Sequence, residues 1–466
     1  MFDLPIQSAD RICYTVYANY YRKEIIAMRK FLAMLLAGAM LLSLFGCADA
    51  ADEEGGEPEV DQEYLDSLTD PNLTYTLEEL EALEEGEHYV ADYDVPALWK
   101  YFEGKMLIGA SFTSNQIDLE NLEDTTTKGL LKHYNIYTLG NEFKPDCINP
   151  SEGVYNFEYA DEFVEFGKIN GATLRGHTLL WHSQVPQWWF KADPDDTRSL
   201  AECYEAGALA TSEQLQERIT TYITDVVTRY KDDIDVWDVC NEVLNADSIR
   251  RIADDSYWAD IIGDLDGNGY YDDYVEIAFN AARAADEDAI LIINDFNMEW
   301  QDSKTQAMYD MVERMLRKGV RIDGVGFQSH IDLNCDVEHY RRNIELIAGL
   351  ADVYDECFPE YAGNFRIQIT ELDMNMFVGE NADGAFKTWS DEELEQQAEK
   401  YAELFDMFLD FADEGIIDSV VFWGTDDENS WLNSTPKLRR NAALIIDRDF
   451  SLKPSFYSIA EVTFDH

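Results

Sequence analysis

The stretch IDVWDVCNE ends on Glu242, and FRIQITE ends on Glu371. Both are rich in β-branched and aromatic residues, the composition of a strand buried on both faces. Such a strand excludes carboxylates unless they are used, because burying a charge without partners is costly. Two facing carboxylates can divide labour. A protonated one gives its proton to a leaving group, while an ionised one attacks carbon or activates water. That division needs surroundings that push their pKa values apart, and Asp373 and His330 could hold Glu371 charged and oriented. Taken singly, either Glu could instead be a helix N-terminal residue favoured by the helix dipole. Likewise, Asn294-Asp295 could be a turn or an N-cap.

The elements that must position these groups are short β-rich runs from about Val95 onward. They are MLIGAS (106–111), YNIYTLG (134–140), ATLRGHT (172–178), IDVWDVCN (234–241), AILIIND (289–295), GVGFQS (324–329), FRIQITE (365–371) and SVVFWG (419–424). Between them lie patterns such as EQLQERITTYITDVVTRYK and TQAMYDMVERMLRK, whose apolar residues recur at helical spacing. This alternation predicts an α/β fold, a (β/α)8 TIM barrel forming one catalytic domain over 95–466. Most runs finish in polar or aromatic residues: Asn141, His177 to His182, Asn241-Glu242, Asn294-Asp295, Gln328-Ser329-His330, Glu371 and Trp423. In such a barrel the C-terminal strand ends meet on one face, so these residues converge on a single cleft.

Paired carboxylates across a cleft are the equipment of glycoside hydrolysis. Trp181, Trp188, Trp189, Trp423 and Trp431 lie in or just after strand ends. Flat indole faces suit the apolar faces of pyranose rings. His177, Gln184, Asn141, Lys144 and Asn241 would supply directional hydrogen bonds to hydroxyls.

The formal charge of −59 repels phosphate backbones and argues against a nucleic-acid partner, but not against a neutral polymer. Met28-Arg29-Lys30 followed by FLAMLLAGAMLLSLFGC predicts a leader over 1–47, with a signal peptide from 28. Its apolar run is short of the about 20 residues of a membrane span. Leu44-Phe45-Gly46-Cys47 resembles a bacterial lipobox, which gives a secreted or cell-surface protein with possible membrane attachment through a lipidated Cys47. Residues 48–94 contain no Lys or Arg and predict an acidic disordered linker. Cys147, Cys203, Cys240, Cys335 and Cys357 show no metal-type spacing and indicate no disulfide framework.

LRGHTLLWHSQVPQWW (174–189), WDVCNE (237–242), INDFN (293–297), DGVGFQSH (323–330), ITELD (369–373) and FWGTDDENSW (422–431) closely resemble glycoside hydrolase family 10. NEFKPD and PSEGVYNFEYAD match that family's earlier part. The family consists mainly of endo-β-1,4-xylanases. The resemblance implies a retaining mechanism, with Glu242 as acid/base and Glu371 as nucleophile, about 5–5.5 Å apart. It implies Asn241 beside the acid/base, bonding a sugar 2-hydroxyl, and His330 and Asp373 orienting Glu371. Lys144, His177, Trp181 and Gln184 would line the non-reducing side of the cut beneath Trp423 and Trp431, with Gln328 completing the floor. The expected partners are xylan and xylo-oligosaccharides, the expected state is a monomer, and no cofactor is required. A same-fold β-glucanase or xylo-oligosaccharide hydrolase, and a non-catalytic surface glycan-binding protein, are the alternatives.

Three positions depart from the family pattern. Gly140 stands where a Glu usually precedes Asn141, Phe296 replaces a Tyr, and Cys240 replaces a commoner apolar residue. In addition, DLDGNGYYD is inserted after Gly263. Asp264, Asp266, Asn268 and the Tyr270 carbonyl follow the first half of an EF-hand loop, with Asp272 nearby. A structural calcium and a plain Asp/Gly-rich turn both fit this stretch.

Overall fold

Each β-rich run becomes a strand in the computed structural model of the chain. The structure describes residues 95–466 except 118, 120–124, 246–256, 380–386 and 437. The leader and the acidic linker therefore lie outside the described residues. The strands are β1 (Leu107–Phe112), β2 (Ile136–Leu139), β3 (Thr173–Trp181), β4 (Val236–Asn241), β5 (Ile290–Asp295), β6 (Gly324–Phe327), β7 (His330–Asp332), β8 (Arg366–Asn375) and β9 (Ile417–Phe422). They pair in the order β6-β5-β4-β3-β2-β1-β9-β8-β7, and a further β6–β8 pairing closes the ring. That gives a closed parallel barrel of eight staves, with β7 added beside the outer end of β8.

Helices cover the barrel because their apolar stripes have nowhere else to go. The helix Ser212–Tyr230 buries Leu215, Ile219, Tyr222, Ile223, Val226 and Val227. Each such aliphatic contributes about 1.5–3 kcal/mol when fully buried. The helix begins in a capping box between Thr211 and Gln214, whose loss would cost about 1 kcal/mol.

Two strands differ from the sequence expectation, and both differences build the site. β8 does not stop at Glu371 but runs to Asn375, so Glu371 is delivered from within a strand. β6 breaks at Gln328-Ser329, where Ser329 takes a left-handed φ of 61°, and the chain resumes as β7. The break pairs His330 with Asp373 in register.

The barrel interior carries a polar layer. Arg175 and Asp238 are both fully buried and pair at 2.7 Å. Arg175 also donates to Gln368 at 3.3 Å and Thr138 at 3.4 Å. Removing one partner would strand the other charge, at about 3–5 kcal/mol. Gly326 makes room for a second crossing. A Cβ there would lie 2.4 Å from Asn294 Oδ1 and 2.8 Å from Thr370 Cγ2.

Candidate active site

The strand ends converge on a cleft of about 560 Å³. Glu242 follows β4 directly, in a left-handed backbone conformation with φ 55°. Such a conformation is sparsely populated away from glycine and needs neighbours to hold it. Its peptide N–H donates to Asn294 O at 2.8 Å. Beyond it, Leu244 N donates to the buried carboxylate of Asp295 at 3.1 Å. Glu371 is 4% exposed and projects from β8. Neither Glu sits at a helix N-terminus, so the dipole alternative fails for both.

A relay of amides joins the two carboxylates. Gln328 Nε2 donates to Glu242 Oε1 at 3.2 Å and to Asn241 Oδ1 at 3.1 Å. Asn294 Nδ2 donates to Asn241 Oδ1 at 2.9 Å and to Glu371 Oε1 at 2.8 Å. The other oxygen of Glu371 meets His330 Nε2 at 3.1 Å. His330 Nδ1 stands 3.1 Å from Asp373 Oδ1, an ion-pair contact without hydrogen-bond alignment. Asp373 Oδ2 accepts the indole N–H of Trp431 at 2.7 Å.

These surroundings separate the two carboxyls. Burial raises the pKa of Glu242, and the charges of Asp295 and Glu371 add to it, against opposing contacts from Trp181 and Gln328. Burial also acts upward on Glu371. There the hydrogen bond from His330 and the electrostatic effect of His177, His330 and Lys144 outweigh it, so its pKa is lowered. Burial opposes charge on His330, yet Asp373 and Glu371 hold its pKa well above the ordinary imidazole value. The result is one carboxyl poised as an acid beside another held as an anion.

One flank of the cleft is a hydrogen-bonding wall. Lys144 Nζ donates to Asn141 Oδ1 at 3.0 Å and Gln184 Oε1 at 2.9 Å, over the Trp181 ring at 4.6 Å. His177 Nδ1 bonds Asp238 at 2.8 Å, and Arg175 grips that same carboxylate from below. Trp423 packs edge-on against His177, and Trp431 lies across His330 with ring centroids 5.0 Å apart. Asn141, Lys144, His177, Trp181, Gln184, Asn241, Gln328, His330, Trp423 and Trp431 all line the cleft, as expected, with Asp373 buried behind His330.

The sequence matches the model of glycosyl hydrolase family 10 over residues 97–462. The chain belongs to that family. It is 38% identical to endo-1,4-beta-xylanase C of Paenibacillus barcinonensis over 378 residues, which cover 80% of this chain and 32% of that protein. It is 35% identical to endo-1,4-beta-xylanase A of Halalkalibacterium halodurans over 379 residues, covering 79% of this chain and 87% of that protein. The solved structure of a family 10 protein from Paenibacillus barcinonensis superposes with a TM-score of 0.70 at 39% identity, covering 78% of this chain and 97% of that one. The chain spans about a third of the length of the first curated relatives it matches.

The departures from the family 10 pattern now have places. Gly140 lines the cleft beside Asn141, while Glu142 does not take over its position. The Glu142 carboxylate accepts the Ser114 N–H at 3.2 Å instead. Phe296 also lines the cleft, and the ammonium of buried Lys304 lies 3.4 Å from its ring centroid. Lys304 also pairs with Asp295 at 2.7 Å. Cys240 is fully buried and packs as a small hydrophobe.

The expectation for two tryptophans needs correction. Trp189 offers no face to a sugar, because it is fully buried among Tyr222 and Trp258. Trp188 is half-buried outside the cleft, where its N–H donates to Asn149 O at 3.1 Å. In the inserted loop, Asp264 and Asp266 gather with Asp273, their carboxylate oxygens within 4.8 Å of one another. Asp272 turns to Arg314, the Asn268 amide donates to Asp266 at 3.0 Å, and the Tyr270 ring lies under Arg314. Lys318 Nζ already stands 2.7 Å from Asp266 and 3.6 Å from Asp273.

Asn294 is among the expected strand-end residues, but its role is not evident from the sequence. Its place at a strand end was the signal, but its two acceptors come from β4 and β8 and are invisible locally. Asp238 was missed because it reads as one more residue inside a buried strand.

Proposed function

We propose that this protein hydrolyses internal β-1,4-xylosidic links of xylan with retention of configuration. The observation that carries this is the opposed environment of the two carboxyls, which raises the pKa of Glu242 and lowers that of Glu371. In the first step, Glu371 attacks the anomeric carbon and a glycosyl–enzyme ester forms. The glycosidic C–O bond breaks, and the Glu242 proton goes to the departing oxygen. In the second, Glu242 takes a proton from water as that water attacks the anomeric carbon and frees Glu371. Both steps need the carboxyls about 5–5.5 Å apart, too close to seat an inverting water. Asn241, held by Gln328 and Asn294, would bond the sugar 2-hydroxyl beside the nucleophile. Its bond would strengthen as positive charge develops on the ring.

Xylan as the substrate is supported by the xylanase names of the family 10 relatives. No cofactor enters either step. A calcium ion at the inserted loop would have to displace Lys318 from Asp266, so we assign that loop a structural role only. Secretion with a lipid on Cys47, and action as a monomer on a polymer too large to import, complete the proposal.

The full chain incubated with glucuronoxylan, and separately with carboxymethylcellulose, tests it by new reducing ends and product sizes. Short xylo-oligosaccharides from xylan alone are expected. Cleavage of the cellulose derivative alone would move the substrate to β-glucan, and binding without cleavage would remove the catalytic reading.

A further inference from the structure

Glu299 follows β5 and is 1% exposed. Its Oε1 accepts the peptide N–H of Ser329 at 2.7 Å. Its Oε2 is buried with no hydrogen-bond partner among the described residues. Burial raises its pKa to about 7, against lowering by its own peptide N–H, by the hydrogen bond from Ser329 and by the charges of His330 and Lys304. Cys335 and Tyr340 are also within reach of its charge.

Ser329 occupies the break between β6 and β7, at a left-handed φ of 61° that a non-glycine residue keeps only when its surroundings hold it. Its hydroxyl meets Tyr340 OH at 2.6 Å, on the outer side of the barrel. The residues flanking Ser329 serve the two catalytic carboxyls. Gln328 donates to Glu242, and His330 bonds Glu371. One peptide therefore carries the partners of both the acid and the nucleophile, and a buried carboxyl behind it takes its N–H.

We propose that Glu299 is a positioning residue that pins the Ser329 peptide, so that Gln328 addresses Glu242 and His330 addresses Glu371. It touches neither substrate nor catalytic carboxyl, and the proposal rests on the retaining-hydrolase reading of this site. The acceptor, not the charge, performs this role. A protonated carboxyl still accepts through its carbonyl oxygen, and a glutamine offers the same oxygen at the same reach.

The test compares Glu299→Gln, Glu299→Leu and Glu299→Asp in the full chain, each checked for cooperative melting before assay. The substrates are aryl β-xylobiosides with good and poor leaving groups. Glu299→Leu removes the acceptor, and its kcat should fall about 10- to 100-fold, the scale of a small misplacement of catalytic groups. Its KM should stay within about 3-fold, since the sugar contacts are untouched. The loss should be larger for the poor leaving group, which depends on a well-placed Glu242. Glu299→Asp keeps a buried carboxyl but falls short of Ser329, so it should lose kcat as the Leu variant does. It also decides the matter if the Leu variant fails to fold. Glu299→Gln should restore kcat to within about 3-fold of the parent. Folded Leu or Asp variants with parental kcat would overturn the proposal, as would a folded Gln variant as impaired as Leu. Failure of the hydrolase reading shows separately, as a parent protein inactive on every xyloside.

Discussion

Asn294 on β5 donates its side-chain amide to Glu371 on β8 at 2.8 Å, across the mouth of the barrel. The crossing exists because Gly326 leaves the space open and Thr370 Oγ1 donates to Asn294 Oδ1 at 2.6 Å. The same amide holds Asn241, so one side chain sets the nucleophile and the expected 2-hydroxyl partner together. Asn294→Ala should lower kcat on xylan about 10- to 100-fold, matching the ~1.5–3 kcal/mol of a hydrogen bond to a charged group. Asn294→Asp should do more, by placing a like charge beside Glu371 and raising its pKa. Steady-state kinetics of both variants check this. An unchanged kcat in Asn294→Ala would show that the contact is idle.

The pH dependence follows from the opposed shifts. Activity needs Glu371 ionised, and its pKa is lowered, so the acid limb should fall below the ordinary carboxylate range. Activity also needs Glu242 protonated, and its pKa is raised, so the alkaline limb should lie above that range. The profile of kcat/KM is a bell whose limbs belong to the coupled pair. His330→Ala removes both the hydrogen bond and a positive charge from Glu371. Burial then dominates, and the acid limb should move to higher pH. An acid limb that stays in place would assign the low pKa of Glu371 to other groups.

Gly140 offers a gain-of-function test. A Cβ there would meet nothing nearer than Phe112 O, at 3.4 Å, so the position accepts a side chain. Gly140→Glu restores the usual family carboxylate at the cleft wall. The KM for xylo-oligosaccharides should drop about 10-fold with kcat within about 3-fold, the signature of uniform binding. A KM that does not move would mean that the added carboxylate does not reach a sugar.

The inserted loop makes a thermal prediction. Lys318 supplies the positive charge among Asp266, Asp273 and Glu276. An ammonium already in place needs no metal, so a chelator should shift Tm by no more than about 2 °C. A rise of many degrees on adding calcium would mean that the ion displaces Lys318.

Much of this was legible in the sequence, for physical reasons that stop at identifiable residues. All eight runs became barrel strands because stretches rich in β-branched and aromatic residues suit parallel strands buried on both faces. The cleft residues followed from the convergence of strand ends. Trp181 and Trp189 could not be told apart, because both lie at or just after the end of one strand and the burial of Trp189 is decided by Tyr222 and Trp258 far along the chain. The extension of β8 past Glu371 depends on β7, which exists only because Ser329 turns left-handed. Glu299 carried no local signal at all, since its role is set by the Ser329 peptide, in the break between two other strands.

The most direct measurement is chemical rescue of Glu242→Ala by azide on an aryl β-xylobioside with a good leaving group. Without the acid, this substrate still forms the glycosyl–enzyme ester, but water lacks its base. Azide needs none, so turnover should recover and the product should be the β-xylobiosyl azide. Absence of rescue would contradict Glu242 as the acid/base. An α-azide would contradict Glu371 as the nucleophile behind a retained configuration.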